Sequence, residues 1–434
     1  MFRKSQSALF ITCLLAAGMG YYYGGVFLPR AREVRVAHSA DGGYSFGTDF
    51  YPIWLVSREC LRQRVDPYSP EITRRIQVGL FGRTFGRVNP GDPSSDYRAY
   101  SYPAFVAFFG VLLAWLPFVA ARAVLAGLLL ALVGVSVFLW AKAISWSTSP
   151  LALTIFMVLT FSSYAVLEGL YAEQAGLIVG FLLAGAMAAL MQNHLRTAGC
   201  LLALAAMKPQ VSLLLTVYLL LWSLSKWKER RRFGLALLST LGLLFLGPLV
   251  VWPNWIAGWL QVLLHYHDYS RPPLLPDLFG SYLGGGLTVF AIMGALKLAW
   301  NNRRVSPASP QFGVTISVLL AVTTVTLLPE HAVYDHIILL PGIMMVIRFW
   351  RELWERNAVA RWTLVVGAAA FLWPWIAALF LIVLHTLGSH LVDAMPFLPL
   401  RTAAAVPFIV LALLYVVSTQ KERRAVVAPA SVTT

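Results

Sequence analysis

KWKERRRFGLALLSTLGLLFLGPLVVW, residues 226–252, decides the fold. Lys226, Lys228, Arg230, Arg231 and Arg232 crowd its start, and positions 233–252 then carry no charge. Twenty apolar residues wound as an α-helix match the roughly 30 Å hydrocarbon thickness of a bilayer. A helix also satisfies its own backbone hydrogen bonds, as lipid requires. Cations against one end mark the cytoplasmic side of such a span. The pattern recurs toward the C-terminus. Arg303 and Arg304 form a second basic segment, Arg348, Arg351, Arg356 and Arg361 a third, and Lys421, Arg423 and Arg424 a fourth. Two apolar stretches separate each from the next, so all four are expected inside, with both termini cytoplasmic.

Composition agrees. The 434 residues are 59% hydrophobic and 12% charged, whereas a soluble domain is about a quarter charged. The apolar stretches run at 8–28, 101–119, 123–145, 151–167, 174–191, 198–223, 233–252, 281–300, 311–328, 336–350, 360–385 and 399–418. They predict an all-α polytopic inner-membrane protein of about 11–13 transmembrane helices. Strict alternation puts 168–174 inside, although Lys208-Pro209 interrupts the 198–223 stretch and can split it into two half-spans. The opening Met1-Phe2-Arg3-Lys4 and its apolar run end in Tyr21-Tyr22-Tyr23 without a small-residue cleavage site, so an uncleaved first span is expected.

The net charge of +15 does not indicate nucleic acid, because the cations cluster beside apolar ends, where they face lipid headgroups. Cys13, Cys60 and Cys200 are too far apart and too few to suggest disulfides or a zinc site. The expected modules are 1–252, with a large outer loop at 30–100, and 253–434.

The outer loop has structure of its own. Phe50, Ile53, Trp54, Ser57, Cys60 and Leu61 share one helical face, with Arg58 and Arg62 on another. Ser69 can cap a second helix opening at Pro70, with Ile72, Ile76 and Leu80 on its apolar side. Both read as helices lying in the membrane interface. Asp92 to Asp96 make a turn-rich link to the next span. After residue 252, Trp255, Trp259 and Tyr266 suit the interfacial aromatic belt, ahead of His265-Tyr266-His267-Asp268. A third outer segment reads Glu330-His331-Ala332-Val333-Tyr334-Asp335-His336. Three distant segments therefore each bring acids, bases and aromatics to one side, where loops on a rigid scaffold can form a site.

In order along the chain stand Gly47-Thr48-Asp49-Phe50-Tyr51, Asp66-Pro67-Tyr68, Tyr100-Ser101-Tyr102-Pro103, Glu173-Gln174, Lys208-Pro209 and Pro329-Glu330-His331. This ordered set resembles glycosyltransferase family 87, the polyprenyl-phosphate-sugar-dependent mannosyltransferases of the type C membrane fold, over about Thr48 to Pro341. Two positions depart from the family pattern: Ala104 where a second proline is usual, and Glu173 where glycine is usual. The resemblance implies a lipid-phosphate-linked sugar donor and inverting transfer to a glycan or glycolipid acceptor outside the membrane.

Such a transfer needs a base for the acceptor hydroxyl, cations for the departing phosphate and a groove for the lipid tail. Asp49 is the expected base, against the plain alternative that it caps the helix it precedes. Asp66 is the second choice, although Asp-Pro-Tyr also makes an ordinary turn. Lys208 stands in apolar sequence, where a charge needs an anionic partner. Phosphate is one candidate partner, and Glu168 or Glu173 another. Gln174, Glu173, Arg58, His265, His267, His331 and His336 complete the expected binding set, each with a structural alternative: Arg58 with Arg62 can face headgroups, and a lone interfacial His often serves the fold. His331 and His336 are poorly spaced as a ligand pair on one helix, so neither metal nor other cofactor is expected. The competing function is a transporter or flippase of a lipid-linked sugar. Transporters usually show paired broken helices, and here one break stands alone.

Overall fold

The computed structural model describes residues 2–38, 47–84, 99–266, 270–395 and 397–427. Those residues are overwhelmingly helical, with one isolated β-bridge, Pro273 to Pro329. Six described helices are long and apolar enough to cross a membrane: Gln6–Glu33, Phe118–Ala143, Trp227–Val250, Leu274–Asn301, Ala358–Thr386 and Leu398–Ser418. Two bent pairs raise the number to eight. Five further apolar helices have 10–17 residues. The protein is an all-α polytopic membrane protein. Large apolar side chains cover its outside, Leu243 being 72%, Phe290 77% and Val250 87% exposed, a surface that lipid must solvate.

The helices in chain order, with the segments that link them, are α1 (Phe2–Tyr21), running through a π-helical turn at Tyr22–Phe27 into α2 (Leu28–His38); α3 (Phe50–Gln63); α4 (Pro70–Phe81); α5 (Val106–Ala114); α6 (Phe118–Ala143); α7 (Pro150–Phe161); α8 (Tyr164–Ala172); α9 (Ala175–Met191); α10 (Leu195–Leu204); α11 (Pro209–Ser225); α12 (Trp227–Leu246); α13 (Trp255–Leu264); α14 (Leu274–Asn301); α15 (Pro310–Thr326); a 3-10 segment at Val333–Leu339 leading into α16 (Leu340–Arg348); α17 (Trp350–Arg356); α18 (Ala358–Thr386); α19 (Leu391–Ala394); α20 (Leu398–Ala403); and α21 (Val406–Val427).

The basic segments gather at one end. The Arg230 guanidinium donates to the carbonyls of Trp222, Arg303 and Arg304, Arg348 donates to the carbonyl of Ile144, and Arg356 to that of Val416 at 2.7 Å. At the opposite end the 47–49 turn rests on the end of α8, Gly47 N–H donating to Tyr171 O at 2.9 Å and Asp49 N–H to Ala172 O at 3.1 Å.

Two expected spans are differently built. Residues 101–119 do not form one. Pro117, at ψ 147°, stops the chain, and α5 has only 9 residues, about 14 Å of helix or half a bilayer. It packs on α3, with Ser57 Oγ donating to Ala107 O at 2.7 Å and Trp54 Nε1 to Leu116 O at 3.1 Å. A Cβ on Gly110 would stand 2.2 Å from Ser57 Oγ, so glycine permits that approach. Residues 198–223 do not cross either. The break at Lys208-Pro209 turns the chain back: α10 rises beside α12, α11 returns, and Ser225 Oγ ends 2.6 Å from Arg303 O. Non-helical backbone at membrane depth is tolerated where protein surrounds it. Each change reverses the alternation, so the two cancel and the later basic segments stay together at one end. Between them the sense is inverted: 168–174 lies beside Asp49, not at the basic end.

The two helices expected in the first loop form. Ser69 Oγ accepts from Ile72 N, Pro70 opens α4, and Ile72, Ile76 and Leu80 are buried. Asp92–Asp96 lie outside the described residues. The aromatic face of α13 is turned the other way from expectation: Trp255 and Trp259 pack inward, their indoles donating to Phe245 O and Ser101 O, and Leu260 and Leu264 face out. A buried indole N–H usually finds a hydrogen-bond partner, and these two carbonyls supply it.

Candidate active site

The site starts at a turn. Gly47 has φ +67°, a conformation glycine takes freely. It also leaves no room for a side chain, since a Cβ would lie 2.6 Å from Glu173 Oε2. Asp49 follows, at the position that caps α3, yet its carboxylate makes no capping bond. It accepts instead from Gln174 Nε2. The capping alternative is thereby excluded, and Asp49 is held, partly exposed, by a residue 125 positions away.

Gln174 bridges two charged groups. Its Oε1 accepts from Lys208 Nζ at 3.2 Å. Lys208 in turn is gripped by Asp335, at 2.8 Å to Oδ1 and 2.7 Å to Oδ2. The pair is deeply buried, with side chains 8% and 1% exposed. Tyr334 offers its ring face 4.7 Å from Nζ. Gly176, the second residue of α9, makes the approach possible, because a Cβ there would meet Asp335 Oδ1 at 2.0 Å. The result is one continuous polar chain, Asp49–Gln174–Lys208–Asp335, drawn from four distant segments. The anionic partner of Lys208 is therefore Asp335, not Glu168 or Glu173. Glu168 accepts from Tyr23 OH at 2.7 Å, and Glu173 pairs with Arg122 at 2.9 Å. Burial pushes the Glu173 carboxyl up, and the Arg122 guanidinium pulls it down by less. Tyr102, half-buried near Asp49, Asp335 and Tyr266, keeps its proton well beyond the usual tyrosine range, because loss of water and neighbouring charge both oppose ionisation.

Asp66, Arg58 and His265 make contacts of their own. Asp66 is exposed and accepts from Tyr68 N at 2.9 Å, the ordinary turn that Asp-Pro-Tyr also allowed. Arg58 stacks over Trp54 at 5.1 Å and Arg62 over Trp115 at 5.8 Å. His265 engages Gln261 O of its own helix at 2.8 Å. His267 lies outside the described residues. His331 sits at the start of the segment that delivers Asp335. His336 instead lines an apolar cleft whose walls include Leu159, Tyr164, Phe371, Pro374 and Trp375. Among the described residues, no three His, Cys, Asp or Glu side chains gather as a metal site would require. Asp335, Arg122 and Tyr102 are the site residues that sequence reasoning missed. The available signal was Lys208 itself: a lysine in apolar sequence needs an acid, and Asp335 opens an apolar stretch.

The matched family model covers residues 100–328 and describes glycosyltransferase family 87. That is more than half of the chain. The chain belongs to glycosyltransferase family 87. No curated protein and no solved structure matches it. The matched stretch of this membrane glycosyltransferase contains Gln174 and Lys208, while Asp49 and Asp335 lie on either side of it and join them only in the folded protein. As a glycosyltransferase it needs a sugar donor and an acceptor, and the polar chain is the place where charged groups converge.

Proposed function

We propose that this enzyme transfers a hexose from a polyprenyl-phosphate donor to an acceptor hydroxyl, with inversion, using Asp49 as base. The observation that carries this reading is adjacency. Asp335 belongs to the polar chain and His336, the next residue, lines the apolar cleft. A donor with a charged phosphate and an isoprenoid tail has the same two-part character, a head for Lys208 and a tail for the cleft.

In the proposed step, Asp49 takes the proton of the acceptor hydroxyl as its oxygen attacks the anomeric carbon. The bond from that carbon to the phosphate oxygen breaks, and the phosphate leaves with the electron pair. A phosphate is a competent leaving group, so one carboxylate base suffices. Lys208 steadies the growing negative charge, exchanging part of its hold on Asp335 for the phosphate. His331, at the start of the segment that carries Asp335, can add a hydrogen bond to it. Gln174 keeps the base and the cation in register. Because the basic segments lie at the opposite end, the site opens on the outer face of the cytoplasmic membrane under the positive-inside rule. Mannose is the hexose we favour, by family resemblance.

Purified enzyme in lipid vesicles, offered a panel of polyprenyl-phosphate hexoses and nucleotide hexoses, tests the reading. Transfer from a polyprenyl-phosphate hexose is expected. Transfer from the nucleotide sugars alone would overturn it, and movement of intact donor across the vesicle without transfer would restore the transporter reading.

A further inference from the structure

Glu173 joins α8 to α9 at φ 54°, ψ 55°, left-handed backbone that a residue with a side chain rarely adopts. Its side chain is 1% exposed. Oε1 accepts from Arg122 Nε at 2.9 Å, and Oε2 is buried with no hydrogen-bond partner among the described residues. Backbone strain and an unsatisfied buried oxygen in one residue call for a compensating role. What they adjoin is the Asp49 turn. The space a Cβ of Gly47 would need is filled by Glu173 Oε2 at 2.6 Å, Cδ at 2.9 Å and Arg122 Nε at 3.0 Å. Arg122 stands on α6 one turn beyond Phe118, which stacks with Phe50 at 6.0 Å and meets Tyr51 edge-on at 4.9 Å. The turn is therefore wedged: α8 carbonyls hold its amides, the Glu173–Arg122 pair fills the space behind Gly47, and Phe118 grips the two residues after Asp49.

We infer that Glu173, braced by Arg122, is a positioning residue that fixes the 47–49 turn and so aims the Asp49 carboxylate. The inference rests on the proposed role of Asp49 for its catalytic part, and on the turn geometry alone for its structural part. Glu173 touches no reacting atom. It determines where Asp49 stands relative to Gln174 and Lys208.

The test uses full-length enzyme in detergent and compares Glu173→Gly with Glu173→Gln. Glycine adopts this backbone freely, so Glu173→Gly removes the wedge without adding strain. Hydrogen exchange of the amides of residues 47–51 should run about tenfold faster in it, a local loosening, with an unchanged thermal midpoint. Turnover at saturating donor should fall about 100-fold, as expected for a misplaced catalytic group. Donor affinity should stay within about threefold, since the loss is confined to the transition state. Glu173→Gln keeps the volume and an acceptor for Arg122, and should restore slow exchange and most of the turnover. Unchanged exchange in Glu173→Gly overturns the inference whatever the activity does. A thermal midpoint that falls in step with turnover overturns it in favour of a general fold role. A Gln variant as inactive as the Gly variant also overturns it, because the carboxylate would then act in the chemistry. Wild-type enzyme that transfers from no polyprenyl-phosphate donor defeats the proposed function, and the exchange measurement still decides the turn.

Discussion

Arg230 and Lys208 are buried alike, 6% and 7% exposed, at opposite ends of α11, yet they are neutralised by different means. Arg230 forms no salt bridge among the described residues. Its guanidinium donates to Trp222 O at 2.7 Å, Ser225 Oγ at 3.2 Å, Arg303 O at 3.1 Å and Arg304 O at 3.4 Å, and stacks on Trp222 at 3.9 Å. Lys208 has Asp335 at 2.7 Å and Gln174 at 3.2 Å. The planar fork of arginine matches several fixed carbonyls at once. Those neutral dipoles close two loops, and no mobile anion can replace them without undoing the loops. A lysine is a point charge on a flexible stem, and one carboxylate can yield to another anion. The same depth of burial thus supports a rivet at one end and, in the proposed function, a binding group at the other.

The largest effect expected is at the site end. Asp49→Asn should lower turnover by about 100- to 10,000-fold, the usual cost of losing a general base, and leave donor binding intact. Asp49 makes no capping bond, so a frayed helix cannot account for such a loss. Turnover within about tenfold of wild type would remove Asp49 as the base.

Next is the pair itself. Lys208→Met strands Asp335 and should cost about 3–5 kcal/mol of stability, together with donor affinity. Adding Asp335→Leu removes the stranded charge and should restore most of the stability but none of the donor affinity. Thermal unfolding and donor titration of the two proteins separate fold from function. A double variant that binds donor normally would make Lys208 a second rivet and erase the contrast with Arg230.

Arg230→Met should be milder. It strands carbonyls, not a charge, at about 1–3 kcal/mol, and donor affinity at the far end should not change. Weakened donor binding in a folded Arg230→Met protein would show that the two ends are coupled.

The smallest perturbation tests only the sides. Asp66→Cys should react with an impermeant maleimide on intact cells, and Lys228→Cys only after the membrane is opened. Burial pushes the native Cys60 thiol up to about 12, so it stays silent in this assay. The reverse pattern would turn the enzyme over in the membrane.

Much of this contrast was legible from residues and much was not. The run after Arg232 had to be a span, and α4 had to start at Ser69, because both depend on neighbours within a few positions. Residues 101–119 are as apolar as a span yet fold as a short helix on α3. Hydropathy does not distinguish lipid from protein as the apolar surroundings. Lys208-Pro209 read as a break, but whether the chain crossed or returned depended on α12 packing beside α10. Asp49 was picked out, though its alternative as a cap could be dismissed only when its carboxylate was seen bound to Gln174. Asp335 looked like one more acid in a His-rich segment until it met Lys208.

Sequence by itself therefore determined that this chain is helical, that lipid surrounds it, and which ends carry the cations. Those properties are local sums, because a helix closes its hydrogen bonds four residues away and each side chain adds its own transfer free energy to the span. Only the tertiary structure decided which charge neutralises which, whether an apolar run meets lipid or protein, and how the 47–49 turn is held against α8. Those outcomes depend on distances between residues far apart in the chain, such as the 127 positions that separate Lys208 from Asp335, and electrostatic energy follows distance through space, not along the chain.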